Sequence, residues 1–169
     1  MSNKTNDYQE LEALARKARW LAISTVAGSG AGHVGGPFSA MDILVALYCR
    51  VMKIRPEEPK LPDRDRFILS KGHSSIGQYA VMALRGFLPI EELKTFDKGG
   101  SRLQGHPDVT RLPGLETSTG SLGQGLSVGL GIALGARMRG QKFQTFVMIG
   151  DGELQEVDAL VRIERMRYG

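Results

Sequence analysis

Hydrophobic residues recur at helical spacing along the first thirty residues. One apolar stripe of this kind runs through Leu11, Leu14, Ala18, Leu21 and Val26. Apolar positions three and four residues apart predict an amphipathic helix, because they lie on one face. The pair Asp7 and Glu10 matches the capping signature of a helix start, and Gly28 with Gly30 predicts the helix end.

A second helical pattern starts near Ser39. It predicts that Ile43, Leu44, Leu47 and Tyr48 are buried together. Further helical patterns cover residues 75–85 and 121–139, and Pro89 opens a short helix that ends near Phe96. The pattern over 121–139 is apolar nearly all round, which predicts a helix buried on several sides.

Two short apolar runs predict strands, at residues 66–69 and 144–149. Helical patterns alternate with these strands, whereas residues 97–118 are irregular. The alternation predicts an α/β fold in three layers, with a mostly parallel sheet and helices on both faces. Each predicted strand runs into a polar turn that contains glycine, at residues 70–74 and 150–153. Because ligands bind beyond the carboxyl ends of parallel strands, both turns predict a site at one sheet edge.

The composition fits one folded domain of a soluble protein. The chain has 169 residues, of which 41% are hydrophobic and 24% are charged. Its net charge of +4 comes from scattered basic residues, so we expect no nucleic-acid partner. The apolar stretch Leu122 to Ala136 is interrupted by glycines and polar residues, so we expect no membrane span. The N-terminus lacks the apolar run of a secretory signal.

The single cysteine, Cys49, allows no internal disulfide and favours a reducing, cytoplasmic compartment. We expect Cys49 to be a small core residue on a helix. The more informative excess is glycine, with 22 residues that cluster beside polar groups. Clustered glycine is typical of backbone that approaches another group closely.

The three histidines of the chain, His33, His73 and His106, each follow a glycine and lie in a predicted loop. A single histidine is more often structural, but three in the same context favour proton-transfer chemistry near neutral pH. Their spacing does not favour a zinc site, since no two share a short interval.

Asp151 follows the second predicted strand and stands between Gly150 and Gly152. A carboxylate there can bind a hard cation such as Mg²⁺, while glycines let phosphate oxygens approach the backbone. It can equally be the N-cap of the next helix. The segment Thr119–Gly125 (TGSLGQG) precedes a helix, whose free N–H groups suit an anion, but close helix packing explains its glycines better.

Five motifs taken together resemble the transketolase family, in order and context. They are SGAGHVGGPFSAMDILVALY, DRDRFILSKGHSSIGQYAVMALRGF, LQGHPD, ETSTGSLGQGLSVGLGIALGAR and GDGELQE. The resemblance covers about residues 7 to 156. It is strongest to the separate N-terminal subunit of transketolases that are split into two chains.

The resemblance implies the thiamine diphosphate-binding fold and a cofactor of thiamine diphosphate with Mg²⁺. It implies transfer of a two-carbon ketol unit between sugar phosphates. By resemblance, Asp151 is the metal ligand and Gly150 and Gly152 bind the diphosphate. The remaining positions that match cofactor-binding residues are His73, Gly120, Ser121 and Leu122.

The resemblance also implies catalytic roles. His33 and His106 match substrate-facing histidines, His73 matches a histidine near the reacting carbon, and Glu156 matches a residue that links paired active sites across a dimer. It further implies that the partner is a C-terminal transketolase subunit, in a homo- or hetero-oligomer.

Departures from the family pattern are small until Val157. Val34 stands where many family members have proline, and Ser121 stands where some have proline. Residues 157–169 match no family segment, and the second metal ligand and the pyrimidine-binding domain of the family have no counterpart here. We therefore expect residues 1–156 to be a partial, truncated thiamine diphosphate-binding domain with an atypical tail, inactive alone.

Two alternatives remain open at this point. The chain could be a catalytically incompetent scaffold that assembles with itself or a partner, because an unfinished sheet leaves apolar surface uncovered. It could also be a related thiamine diphosphate enzyme, such as a deoxyxylulose-phosphate synthase or a dihydroxyacetone synthase.

Overall fold

The computed structural model describes residues 3–156. Within these residues there are four α-helices: α1 (Asn3–Ser29), α2 (Gly35–Ala46), α3 (Ser75–Arg85) and α4 (Gln124–Met138). The two strands are β1 (Arg66–Leu69) and β2 (Thr145–Met148). A π-helical turn follows α2 at Leu47–Val51, and 3₁₀ turns lie at Gly72–Ser74, Ile90–Thr95 and Gly152–Gln155. The atypical tail predicted at 157–169 lies outside the described residues.

The two predicted strands pair with each other in parallel. Arg66 lies opposite Thr145 and Leu69 lies opposite Met148. Their carboxyl ends therefore share one edge, and the polar turns that follow them meet there.

Helices cover both faces of this sheet. Phe67, Leu69 and Met148 face a core that they share with α1, α2 and α3. On the opposite face, α4 lies so close to the sheet that a methyl group at Gly129 would collide with Val147. The predicted three-layer α/β arrangement with a parallel sheet is thus confirmed.

The first two helices begin earlier than predicted. Helix α1 starts at Asn3, so Asp7 does not cap it; the Asp7 carboxylate instead accepts a hydrogen bond from Arg50. Helix α2 starts at Gly35 rather than near Ser39, without a side-chain cap. The end of α1 was predicted correctly, since Gly30 takes a left-handed φ of 70° directly after the helix.

Two burial predictions were wrong. Ile43 is 57% exposed, because α2 turns Ala40, Met41, Leu44 and Val45 toward the core instead. Helix α4 is not buried on several sides. It rests on the sheet through its small residues Gly125, Gly129 and Ala136, which leaves larger side chains exposed: Val128 at 37%, Leu134 at 49% and Met138 at 88%.

Cys49 lies on the π-helical turn and is half-buried at the margin of the core, rather than inside it as expected. Its partial burial raises the pKa of the thiol, because an apolar environment disfavours the thiolate. In the described part of the chain, no helix is both long and apolar enough to cross a membrane.

Candidate functional site

A cleft of about 360 Å³ opens at the sheet edge where both strands end. Its lining comes from the turns after β1 and β2, the start of α2 and the segment before α4. The lining residues are Gly35, Gly36, Ser39, Lys71, His73, Leu122, Gly150, Asp151, Gly152 and Glu153. The two polar turns singled out in the sequence therefore lie together.

Asp151 is exposed in this edge cleft. It precedes the 3₁₀ turn at Gly152–Gln155, but its carboxylate makes no capping bond to that turn. Asp151 thus holds the N-cap position that the alternative interpretation gave it, but without the side-chain hydrogen bond of a cap. A carboxylate that is exposed and uses no oxygen to cap the backbone can offer its oxygens to a cation.

The glycines on either side of Asp151 differ in how their backbone is used. The Gly150 N–H donates to Glu153 Oε2 at 2.7 Å, so it is already occupied within the chain. Gly152 is exposed and lines the same cleft. The N–H that can approach a phosphate here is thus that of Gly152 rather than Gly150.

The three histidines cluster beside this edge. The His33 and His73 rings lie with their centroids 5.3 Å apart in an edge-to-face arrangement. His73 lines the edge cleft, while His33 and His106 line an adjoining cleft of about 550 Å³. Partial burial lowers the pKa of His73, and the nearby His33 lowers it further. His73 is therefore neutral near pH 7, with a lone pair that can accept a proton.

The segment before α4 lies between the clefts. A methyl group at Gly120 would come within 3.2 Å of His106 Cδ2, so this glycine packs against the histidine ring. Gly120 and Ser121 line a small pocket of about 190 Å³, and Leu122, 40% exposed, borders the edge cleft. The structure thus brings Gly120 close to His106 and Leu122 into the cleft of Asp151, whereas Ser121 lines the small pocket beside them.

Glu156 is exposed and lies at the end of the described residues. It does not line the edge cleft.

Sequence reasoning missed five residues that line the edge cleft: Gly35, Gly36, Ser39, Lys71 and Glu153. Lys71 lines the edge cleft, with its Nζ 3.5 Å from the Gly36 carbonyl oxygen. Glu153 is 2% exposed, and it binds the backbone of Gly150 from three residues away. That spacing is the reach-back half of a capping box, which is the signal that could have identified Glu153.

Comparison with known proteins places these features in a family. Residues 11–162 match the family model for the transketolase thiamine diphosphate binding domain. The chain belongs to the transketolase family, as the part that carries this domain.

Among curated relatives, the chain is 43% identical over 156 residues to the 6-deoxy-6-sulfo-D-fructose transketolase subunit of Clostridium sp. (strain MSTE9). It is 41% identical over 148 residues to one of the subunits of the apulose-4-phosphate transketolase of Phocaeicola vulgatus. These alignments cover 92% and 88% of this chain, but 56% and 52% of the relatives. The chain therefore spans about half the length of these subunits.

Solved structures agree with this placement. The transketolase of Campylobacter jejuni superposes with a TM-score of 0.84 at 34% identity, over 89% of this chain and 25% of that one. The transketolase of Leishmania mexicana gives a TM-score of 0.81 at 38% identity, over 89% and 24%.

Proposed function

We propose that this chain provides the diphosphate-binding side of a transketolase, which transfers a two-carbon ketol unit between sugar phosphates with thiamine diphosphate and Mg²⁺. The observation that carries the proposal is the edge cleft. There the Asp151 carboxylate, which makes no capping bond, lies beside Gly152 and His73. We assign residues 1–156 to this domain; the family match over 11–162 supports most of that range, and it runs six residues beyond the proposed boundary into the segment expected to be atypical.

The donor set of the cleft fits such a cofactor. Asp151 provides a hard oxygen ligand for Mg²⁺, and the exposed Gly152 lets a phosphate approach the backbone. Gly120, Ser121 and Leu122 would form the wall against which the cofactor rings pack. When bound, thiamine diphosphate supplies the nucleophilic carbon that the protein side chains lack.

The histidines handle protons and hydroxyl groups. His73, neutral near pH 7, accepts or returns a proton at its ring nitrogen beside the edge cleft. His33 and His106 are exposed in the adjoining cleft, where their ring nitrogens can hydrogen-bond to the hydroxyls of a sugar phosphate. In this proposal Glu156, at the protein surface, connects the site to a second active site in an assembled oligomer.

The active unit is an oligomer that includes a C-terminal transketolase subunit. The exposed apolar side chains of α4 support this, because Leu134 and Met138 lie four residues apart on one helix face. We propose a cytoplasmic location, which the single half-buried cysteine Cys49 supports.

Calorimetric titration tests the cofactor assignment. Thiamine diphosphate is added to the chain with Mg²⁺, with Mg²⁺ replaced by EDTA, and with a C-terminal transketolase subunit present. We expect Mg²⁺-dependent binding, strengthened by the subunit. Absence of binding even with the subunit would reject the proposal. Product analysis with a ketose phosphate donor against pyruvate then identifies the reaction, and decarboxylation of pyruvate would favour a deoxyxylulose-phosphate synthase.

A further inference from the structure

Glu153 joins three separate segments of the chain at the edge cleft. Its Oε1 accepts hydrogen bonds from the Ser70 hydroxyl at 2.6 Å and from the Gly123 N–H at 2.9 Å. Its Oε2 accepts from the Gly150 N–H at 2.7 Å. Ser70 follows β1, Gly150 follows β2 and Gly123 precedes α4. One side chain thus connects three of the four segments that line the edge cleft; the fourth is the start of α2.

This carboxylate is costly to bury without compensation. It is 2% exposed, and within residues 3–156 no lysine or arginine forms a salt bridge with it. Its negative charge is instead stabilised by three neutral donors, two of them backbone N–H groups. A rearrangement that removes any of these donors is therefore strongly unfavourable. Each lost hydrogen bond would leave part of the buried negative charge without a donor.

We propose that Glu153 is a positioning residue, which fixes the turns after β1 and β2 and the start of α4 in the arrangement that receives a diphosphate. The proposal rests on the function proposed above. Because Glu153 occupies the Gly150 N–H, it also directs the phosphate toward Gly152. Glu153 lines the edge cleft with only 2% of its surface exposed, and this positioning role needs no contact between its side chain and the cofactor.

The variant Glu153→Gln isolates this role, since it keeps the shape of the side chain. A glutamine has one acceptor oxygen and one NH₂ group, whereas all three neighbours are donors. If the glutamine oxygen keeps the hydrogen bonds from Ser70 and Gly123, its NH₂ group faces the Gly150 N–H. Both of these groups are donors, so the bond to Gly150 is lost. The variant Glu57→Gln is the matched control, because Glu57 is exposed in a loop and undergoes the same charge change.

Amide exchange and NMR on the full chain measure the effect without any cofactor. In Glu153→Gln we expect the Gly150 amide to exchange roughly tenfold faster or more, with an upfield shift of its proton. The amides of α3 should keep their wild-type exchange rates, as should all amides in Glu57→Gln. Unchanged exchange at Gly150 and Gly123 would overturn the proposal, and so would an equal rise throughout α3, which would indicate a general stabilising role.

A milder variant, Ser70→Ala, removes only one of the three bonds and covers the case in which Glu153→Gln does not fold. It should speed exchange at Gly123 or Gly150 by a smaller factor than Glu153→Gln. No change at either amide would count against the connecting role of Glu153.

Titration with thiamine diphosphate and Mg²⁺ then connects the arrangement to binding. We expect roughly tenfold weaker binding by Glu153→Gln than by wild type or Glu57→Gln, measured at a temperature at which all three proteins are fully folded. Equal affinities would overturn the positioning role. If wild type itself binds nothing, the proposed function fails, whereas the exchange experiment still decides whether Glu153 holds this edge.

Discussion

His33 and His73 face each other edge to face, with their ring centroids 5.3 Å apart. The pair joins the loop after α1 to the turn after β1. A positive charge on either ring disfavours a positive charge on the other. Burial is the larger cause of the lowered His73 pKa, and His33 is the next.

Replacing His33 should raise the pKa of His73. In His33→Asn the repulsion disappears while burial remains, so the pKa moves only part of the way toward its ordinary value. The pH titration of the His73 ring protons by NMR measures the change. His106→Asn is the control and should give a smaller rise, because His106 contributes less. A pKa of His73 that does not respond to His33→Asn would contradict this account.

The lowered pKa of His73 also predicts a dependence of stability on pH. The unfolded chain takes up a proton at the ordinary histidine pKa, while the folded chain resists protonation until a lower pH. The contribution of His73 is therefore complete above the ordinary pKa and lost as pH falls through the folded value. Urea unfolding at a series of pH values should show a smaller acid-side loss of stability in His73→Gln than in wild type.

The ion pair between Arg64 and Glu116 should be a major stabilising contact. Their side chains are 8% and 9% exposed. Glu116 also forms a second ion pair, in which its Oε2 lies 3.5 Å from Arg66 Nε. Arg64→Met leaves a buried carboxylate without its main partner, so we expect a loss of about 3–5 kcal/mol in the free energy of unfolding.

Urea denaturation measures this loss. The exposed pair Arg55–Glu58, with side chains 70% and 50% exposed, provides the control. Arg55→Met should cost less than about 1 kcal/mol. Similar losses in both variants would show that burial of the Arg64 pair does not matter.

Gly125→Ala should destabilise the chain, whereas Gly131→Ala on the same helix should not. A methyl group at Gly125 would lie 2.5 Å from Ser70 Cβ, and one at Gly131 would meet nothing within 4 Å. We expect a cost of about 1–3 kcal/mol for the first and a gain of roughly 0.5–1 kcal/mol for the second, measured by thermal unfolding. The reverse order would contradict the close approach of α4 to the turn after β1.

Asp151→Asn should weaken Mg²⁺-dependent binding of thiamine diphosphate by at least about tenfold. The free energy of unfolding of this variant should stay within about 0.5 kcal/mol of wild type, because the Asp151 side chain is exposed and makes no capping bond. Calorimetry and thermal unfolding measure the two effects. Asp63→Asn, which changes an exposed loop carboxylate, is the control and should bind like wild type. Wild-type affinity in Asp151→Asn would remove this residue from the metal site.

Replacing Leu134 and Met138 with lysine should reduce association of this chain with a C-terminal transketolase subunit or with a second copy of itself. Both side chains are exposed on α4, and a charge there opposes burial in an apolar interface. Light scattering after size-exclusion chromatography measures the assemblies. Gln141→Lys adds the same charge at an exposed polar position and should leave them intact. Unchanged assemblies in the Leu134 and Met138 variants would exclude this helix face.

Sequence patterns predicted the strands β1 and β2, helix α3 and the common edge at which Ser70 and Gly150 lie. Local signals were sufficient because these elements are short and apolar, and a glycine follows each of them within three residues. The patterns failed where tertiary contacts decide. Asp7 looked like a cap but pairs with Arg50, and the apolar α4 contacts the sheet through glycines. Burial of Glu153 depends on donors thirty and more residues away, which no local pattern contains.

The contact between Gly129 and the sheet has a mechanical consequence. Helix α4 packs against Val147 at Gly129, where the helix approaches the sheet too closely to leave room for a side chain. A side chain at this position would force Val147 or the helix to move, and a movement of the helix would displace its first turn relative to Glu153. The arrangement of the edge cleft therefore depends in part on Gly129, a residue that has no Cβ and does not itself line the cleft.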